Sequence, residues 1–196
     1  MAAVGRPRTF DKDEALKKAM HVFWEKGYEG ASMADLVEAI GMKAPSIYAA
    51  FGNKDAIFKE VVSHYLPIVA NGQLAVLNGT PNIDEAVQKT LDECVRLFTC
   101  DDNPRTCLIM TAAINASPEH LEHVESLRAL RKEYKQNWKD RFVRAQKEGQ
   151  LKASLIPQQL AEYFVTIIQG MALSAKDGAT KEALANTAEI AIQILR

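Results

Sequence analysis

Cysteine is scarce in this 196-residue chain: Cys94, Cys100 and Cys107 make an odd number with no CxxC spacing. Neither a disulfide framework nor a thiolate zinc site is signalled. Long apolar runs are missing as well. The longest, residues 163–175, is broken by Thr166, Gln169 and Gly170, whereas a bilayer span needs about 20 predominantly apolar residues. The opening MAAVGRPRTF lacks an apolar h-region, so no secretory or transit signal is visible and a cytoplasmic protein without membrane contact is expected. Neither sign of charge is in excess: 24 basic residues face 25 acidic ones, a net charge of −1. Bulk charge therefore does not advertise nucleic-acid binding, and specific placement has to do that work. There is no GxSxG, GxxxxGK or HExxH, so no familiar nucleophile, phosphate loop or metalloprotease site marks an enzyme, and no cofactor or metal is implied. Strand-period alternation, repeats and low-complexity tracts are likewise absent, which leaves an all-α fold.

What is present is a segment with the punctuation of two short helices around a tight turn, SMADLVEAIGMKAPSIYAAFGNK, residues 32–54. Ser32 is placed to cap a helix with Asp35 in its first turn, an approximate capping box, and Leu36, Val37 and Ile40 recur at helical spacing. Gly41 suits a left-handed C-terminal position. Pro45 suits the first turn of the next helix, where its missing N–H would have had no partner. In that helix Ile47 and Phe51 turn inward, while Lys43, Ser46, Tyr48, Ala49 and Ala50 are expected to be accessible. Such a small, polar and basic face lets a helix backbone approach base edges in a major groove. Gly52 closes the helix and Asn53 caps the next. Lys54, a cation in a first helical turn, opposes the macrodipole and calls for a nearby anion such as a DNA phosphate.

The stretch FDKDEALKKAMHVFWEKGYEGASMADLVEAIGMKAPSIYAAFGNKDAIF resembles the N-terminal domain of the tetracycline-repressor (TetR/AcrR) family of transcription regulators, in the Phe-Trp-x-x-x-Gly-Tyr end of the first helix and in Gly41, Ser46, Tyr48, Phe51 and Lys54. The resemblance implies a helix-turn-helix domain over residues 1–52 and a helical effector-binding and dimerisation domain over 53–196 that includes the linker helix. It implies a homodimer on double-stranded operator DNA, a repressor released by a small apolar effector. By the same resemblance Tyr48 and Lys54 clamp phosphates, Arg6 and Arg8 form a basic arm, and Lys43, Ala44, Ser46 and Ser32 complete the DNA-binding set.

Beyond Tyr65 the pattern stays helical. Pro67 is read as bending or ending the linker helix, and Gly72, Asn78, Gly79 and Pro81 as a connection. Residues 84–100 form an amphipathic helix, Ser117 and Pro118 start a long helix to Glu148, and Pro157 and Thr180 start the last two. On those two, Phe164, Ile167, Gly170, Leu184, Ala188 and Ile192 are expected at a dimer interface; the same stripes also suit an intramolecular core. Phe98, Cys107, Met110, Tyr134, Trp138, Phe142, Phe164 and Met171 are candidates for an effector pocket, or ordinary core. Cys107 follows Arg105, whose charge would favour the thiolate. TCLIMTAAI resembles a segment of the family's electrophile-sensing branch, with Lys176 matching that branch's lysine. A redox-sensing repressor is therefore one alternative, and a helical protein-binding adaptor another. His120 and His123, beside Glu119 and Glu122, lack a third ligand and read as a solvated polar turn.

Overall fold

The computed structural model describes residues 11–101, 104–114 and 116–196. Helices α1 (Lys12–Gly30), α2 (Met33–Ile40) and α3 (Ala44–Phe51) precede a linker helix α4 (Lys54–Val69); α5 (Ala75–Gly79), α6 (Ile83–Thr99), α7 (Leu108–Thr111), α8 (Leu121–Lys147), α9 (Pro157–Lys176) and α10 (Lys181–Ala191) follow. The described residues contain no strand. Asp11 starts α1 by accepting the amides of Asp13 and Glu14 at 3.0 and 3.2 Å, which satisfies donors that a helix end otherwise leaves unpaired. The helix buries Leu16, Met20, Phe23 and Trp24 against α2 and α4. In the second half α9 packs along α8, and α6 fills the space against α9 and α10. There Trp138 and Phe142 of α8 lie against Phe164 of α9, both with ring centroids 5.6 Å away.

Pro67 does not end the linker helix. It lies inside α4, and the chain then widens into a π-helical turn, Ala70–Leu74, in which the Ala75 amide reaches back to the Ala70 carbonyl. The proline has no N–H for the carbonyl four residues earlier, a common cause of local helix deformation. Gly72, Asn78 and Gly79, expected in a connection, therefore continue the helical rod, with Gly72 within the π turn and Asn78 and Gly79 at the end of α5. Pro118 likewise opens a 3-10 turn, Pro118–His120, before α8 begins at Leu121.

Arg141 holds the end of this rod. It is fully buried, and its Nε donates to the Leu77 carbonyl at 3.0 Å while Nη2 donates to those of Thr80 and Pro81 at 3.1 and 2.9 Å. A cation here satisfies carbonyls orphaned at the C-terminus of α5 and meets the negative end of its dipole. Hydrogen bonds to charged groups contribute about 1.5–3 kcal/mol each. Arg141→Met should cost roughly 2–4 kcal/mol in urea unfolding, less than the three bonds summed, because the methionine keeps the packing and removes a buried charge whose Nη1 has no partner, but leaves buried carbonyls unpaired.

Candidate DNA interface and effector cavity

The helix-turn-helix forms as its punctuation dictates. Ser32 Oγ accepts the Asp35 amide at 3.1 Å, and Asp35 Oδ2 accepts the Ser32 amide at 2.8 Å, a complete capping box. Lys26 Nζ closes on Asp35 Oδ1 at 2.6 Å. These bonds hold the Asp35 carboxyl well below its usual range, the Lys26 bond contributing most. Gly41 ends α2 in the left-handed region, φ 77°. Ile47 and Phe51 are buried, while Lys43, Ser46, Tyr48 and Ala49 are exposed, Tyr48 by half of its surface. Ala50 departs from the expected pattern by packing against the core.

Lys54 meets two groups of its own chain. Its Nζ donates to the Ala31 carbonyl at 2.9 Å and stands 4.2 Å from the centre of the Tyr28 ring. The carbonyl that follows α1 and the aromatic face supply the negative partners for a cation in the first turn of α4, so no phosphate is required to explain it. Arg6 and Arg8 lie outside the described residues.

The end of α1 is clasped to the segment around α7. Trp24 Nε1 donates to the Thr106 carbonyl at 2.8 Å, and the Tyr28 amide to the Ala112 carbonyl at 2.6 Å. Between them Gly27 adopts φ 72°, ψ 175°, a region essentially reserved for glycine. A Cβ there would stand 3.1 Å from the Ala112 oxygen.

Next to this clasp the two histidines are far from a solvated turn. His123 is 4% exposed, and its Nε2 donates to Asp55 Oδ1 at 2.9 Å. The same oxygen accepts the Tyr28 hydroxyl. Neighbouring His120 Nδ1 donates to Glu29 Oε1 at 2.9 Å, and the Ser117 amide joins it at 2.7 Å. The start of α8 is thereby fastened to α1 and α4. No group of three or more His, Cys, Asp or Glu residues among those described is arranged to hold a metal ion.

His123 first, and then Tyr28, hold the Asp55 carboxyl below its ordinary value of 3.8. A depressed folded-state pKa gives stability that is fully present above the unfolded value and is lost as pH falls through the folded one. Stability should therefore decline below about pH 4, and Asp55→Asn should flatten that decline in acid titrations followed by circular dichroism.

A cavity of about 530 Å³ opens between the rod and the α7–α8 region, within the size range of small-molecule sites. Its lining includes Phe98, Cys107, Met110 and Tyr134 from the predicted set, together with Leu66, Val69, Gln73, Leu74, Ile109 and Leu130. Trp138, Phe142, Phe164 and Met171 do not line it; they are buried core. Most of the residues missed lie on the rod, with Val69, Gln73 and Leu74 beyond Pro67, where the sequence suggested a break in the helix.

The N-terminal part of the chain, residues 15–61, matches the model of the bacterial regulatory proteins of the tetR family. The HTH-type transcriptional repressor ComR of Escherichia coli is 32% identical over 191 residues, covering 97% of this chain and 91% of that protein. The chain belongs to the TetR family. A cysteine-substituted form of the TetR family regulator CifR, solved with 26-base-pair operator DNA, superposes with a TM-score of 0.92 at 40% identity, covering 98% of this chain and all of that one. The Escherichia coli repressor BdcR is 24% identical over 98% of this chain and 92% of its own length. The molecule is thus a TetR-family transcription regulator with an N-terminal DNA-binding domain.

In this TetR-family chain Cys107 faces the cavity but is 4% exposed, and burial pushes its thiol up from the usual value. Tyr65 Oη lies 3.5 Å from its sulfur. Arg105, expected to lower that pKa, is turned instead toward Asp101 at 3.5 Å. Arg105 and Lys176 share a separate surface hollow, and Cys107 is not part of it. Of the residues expected at a dimer interface, Phe164, Leu184, Ala188 and Ile192 are buried within the single chain, Ile167 is half-buried and Gly170 is exposed. The outer faces of α9 and α10, with their 3-10 extension, instead present Leu173, Ile190 and Ile194, which are 54%, 72% and 42% exposed.

Proposed function

We propose that this TetR-family regulator is a repressor that binds operator DNA as a homodimer and is released when a small, largely apolar molecule fills the cavity. The observation that carries this reading is the double role of residues 106–112. Cys107, Ile109 and Met110 line the cavity, while the Thr106 and Ala112 carbonyls are bonded to Trp24 and Tyr28 of α1. A ligand that displaces this segment must move α1, and with it the recognition helix α3. The linker helix α4 offers a second route, because Leu66 and Val69 line the cavity at one end and Lys54 is fixed to Ala31 at the other. The ligand favours release only in so far as it binds the DNA-incompetent spacing more tightly than the competent one.

On DNA, Tyr48, Ser46, Lys43 and Ala44 face the groove and backbone. Ser32, Lys54, Arg6 and Arg8 add phosphate contacts, Lys54 with the donors left after Ala31. Pairing runs through Ile167, Gly170, Leu173, Ile190 and Ile194 on the outer faces of α9 and α10, and two recognition helices then meet half-sites on one DNA face. The protein works in the cytoplasm and is regulatory, not catalytic. The test is an anisotropy titration on the intergenic DNA beside its own gene, together with sedimentation. The expected result is saturable binding of a dimer; a monomer, or binding that is indifferent to DNA sequence, would contradict the proposal.

A further inference from the structure

Gln73 is the side chain that the cavity leaves incomplete. It sits in the π turn at the end of the α4 rod and lines the cavity, yet is only 3% exposed. Its Oε1 accepts the Tyr134 hydroxyl at 2.7 Å, while its Nε2 has no hydrogen-bond partner. A buried amide donor without an acceptor is costly, and a ligand that supplies one recovers that cost. The rest of the lining is mainly apolar. Its one charged member, Glu133, is exposed and negative. The nearby cation Arg131 is not among the lining residues, and its Nη1 is already engaged by the Ile109 carbonyl at 2.7 Å.

Resting on the effector-released reading above, we infer that the cavity selects an uncharged, largely apolar molecule carrying one hydrogen-bond-accepting oxygen, such as a ketone, which Gln73 Nε2 binds. An anion meets no cation in the lining and a carboxylate on its edge. A pure hydrocarbon fills the space but leaves Nε2 unpaired. The position of Gln73 also joins recognition to response. The π turn continues directly from α4, so an oxygen held by Nε2 is attached to the helix that begins beside the DNA-binding domain. π turns of this kind are frequent at functional sites.

The test is isothermal titration of the full chain with butyrophenone, butylbenzene and 4-phenylbutyrate, which share a skeleton and differ in the oxygen function. Butyrophenone should bind about tenfold more tightly than butylbenzene, the range expected for one buried hydrogen bond, and 4-phenylbutyrate most weakly. Gln73→Met should bring the ketone and the hydrocarbon within about twofold of each other, without weakening butylbenzene. Gln73→Leu, which likewise lacks the donor, should lose the preference as well and provides the comparison if the methionine variant fails to fold. Failure of the ketone to bind, equal affinity of ketone and hydrocarbon in the unaltered protein, a preference that survives Gln73→Met or Gln73→Leu, or tighter binding of the carboxylate would each overturn the inference. Operator release is read in a separate anisotropy titration. A ketone that binds through Gln73 without releasing DNA would overturn the repressor reading and leave this one standing.

Discussion

Tyr48→Ala should weaken operator binding roughly 30- to 150-fold while leaving the thermal transition in place. Tyr48 is half exposed on α3, and the helix is anchored from its other side by Ile47 and Phe51. Removing an exposed ring therefore takes nothing from the core. A hydroxyl-to-phosphate hydrogen bond at the wet edge of a groove, where solvent and salt screen the charge, is worth about 1–1.5 kcal/mol, at or below the low end of the range for a buried charged partner. A dimer loses two, about 2–3 kcal/mol in all, which corresponds to that factor. Lys43→Ala should act differently: it should weaken binding uniformly across DNA sequences and reduce the slope of log affinity against log salt by about 0.9 for each phosphate left without its lysine. Anisotropy titrations at several salt concentrations separate the two effects. Unchanged affinity in Tyr48→Ala would remove α3 from the interface.

Gly27→Val should lower the melting temperature by roughly 4–16 °C, a stability loss as large as that expected from Arg141→Met. The residue sits at φ 72°, ψ 175°, and a Cβ would lie 3.1 Å from the Ala112 oxygen. Forcing a side-chain-bearing residue into that conformation costs about 1–3 kcal/mol. Pushing Ala112 away also endangers the 2.6 Å bond from the Tyr28 amide, which adds about 1 kcal/mol. For a chain of this length each kcal/mol moves the transition by about 2–4 °C. The variant should also bind operator less sensitively to ligand, because the clasp it loosens is the route from cavity to α1. A melting curve and an effector dose–response on the same preparation check both effects. An unshifted transition would mean that the kink is not held by the Ala112 clasp.

Some of this was legible in the sequence for local reasons. Ser32 with Asp35, Gly41, Pro45, Gly52 and Asn53 act on their own backbone neighbourhood, so the helix-turn-helix could be read from spacing alone. The clasp could not. His123 and Asp55 are 68 residues apart, and His120 and Glu29 are 91 apart. A histidine pair at a helix start carries no sign of which distant carboxylates it will meet. Pro67 misled because its helix accommodates it through a π turn, and that concealed Gln73 and the rest of the cavity's rod side. Apolar stripes on α9 and α10 gave their period but not their partner. Phe164, Leu184, Ala188 and Ile192 are used inside the chain, leaving Leu173, Ile190 and Ile194 outside.

The coupling between cavity and DNA is tested most directly by reciprocity. Butyrophenone is titrated calorimetrically into the free protein and into its operator complex, and operator affinity is measured with and without saturating ketone. Two sites that share one equilibrium change each other's affinity by the same factor. The clasp predicts that operator weakens ketone binding severalfold, that ketone weakens operator binding by the matching factor, and that Gly27→Val shrinks both. Ketone affinity that is identical in the free and DNA-bound protein would contradict the account.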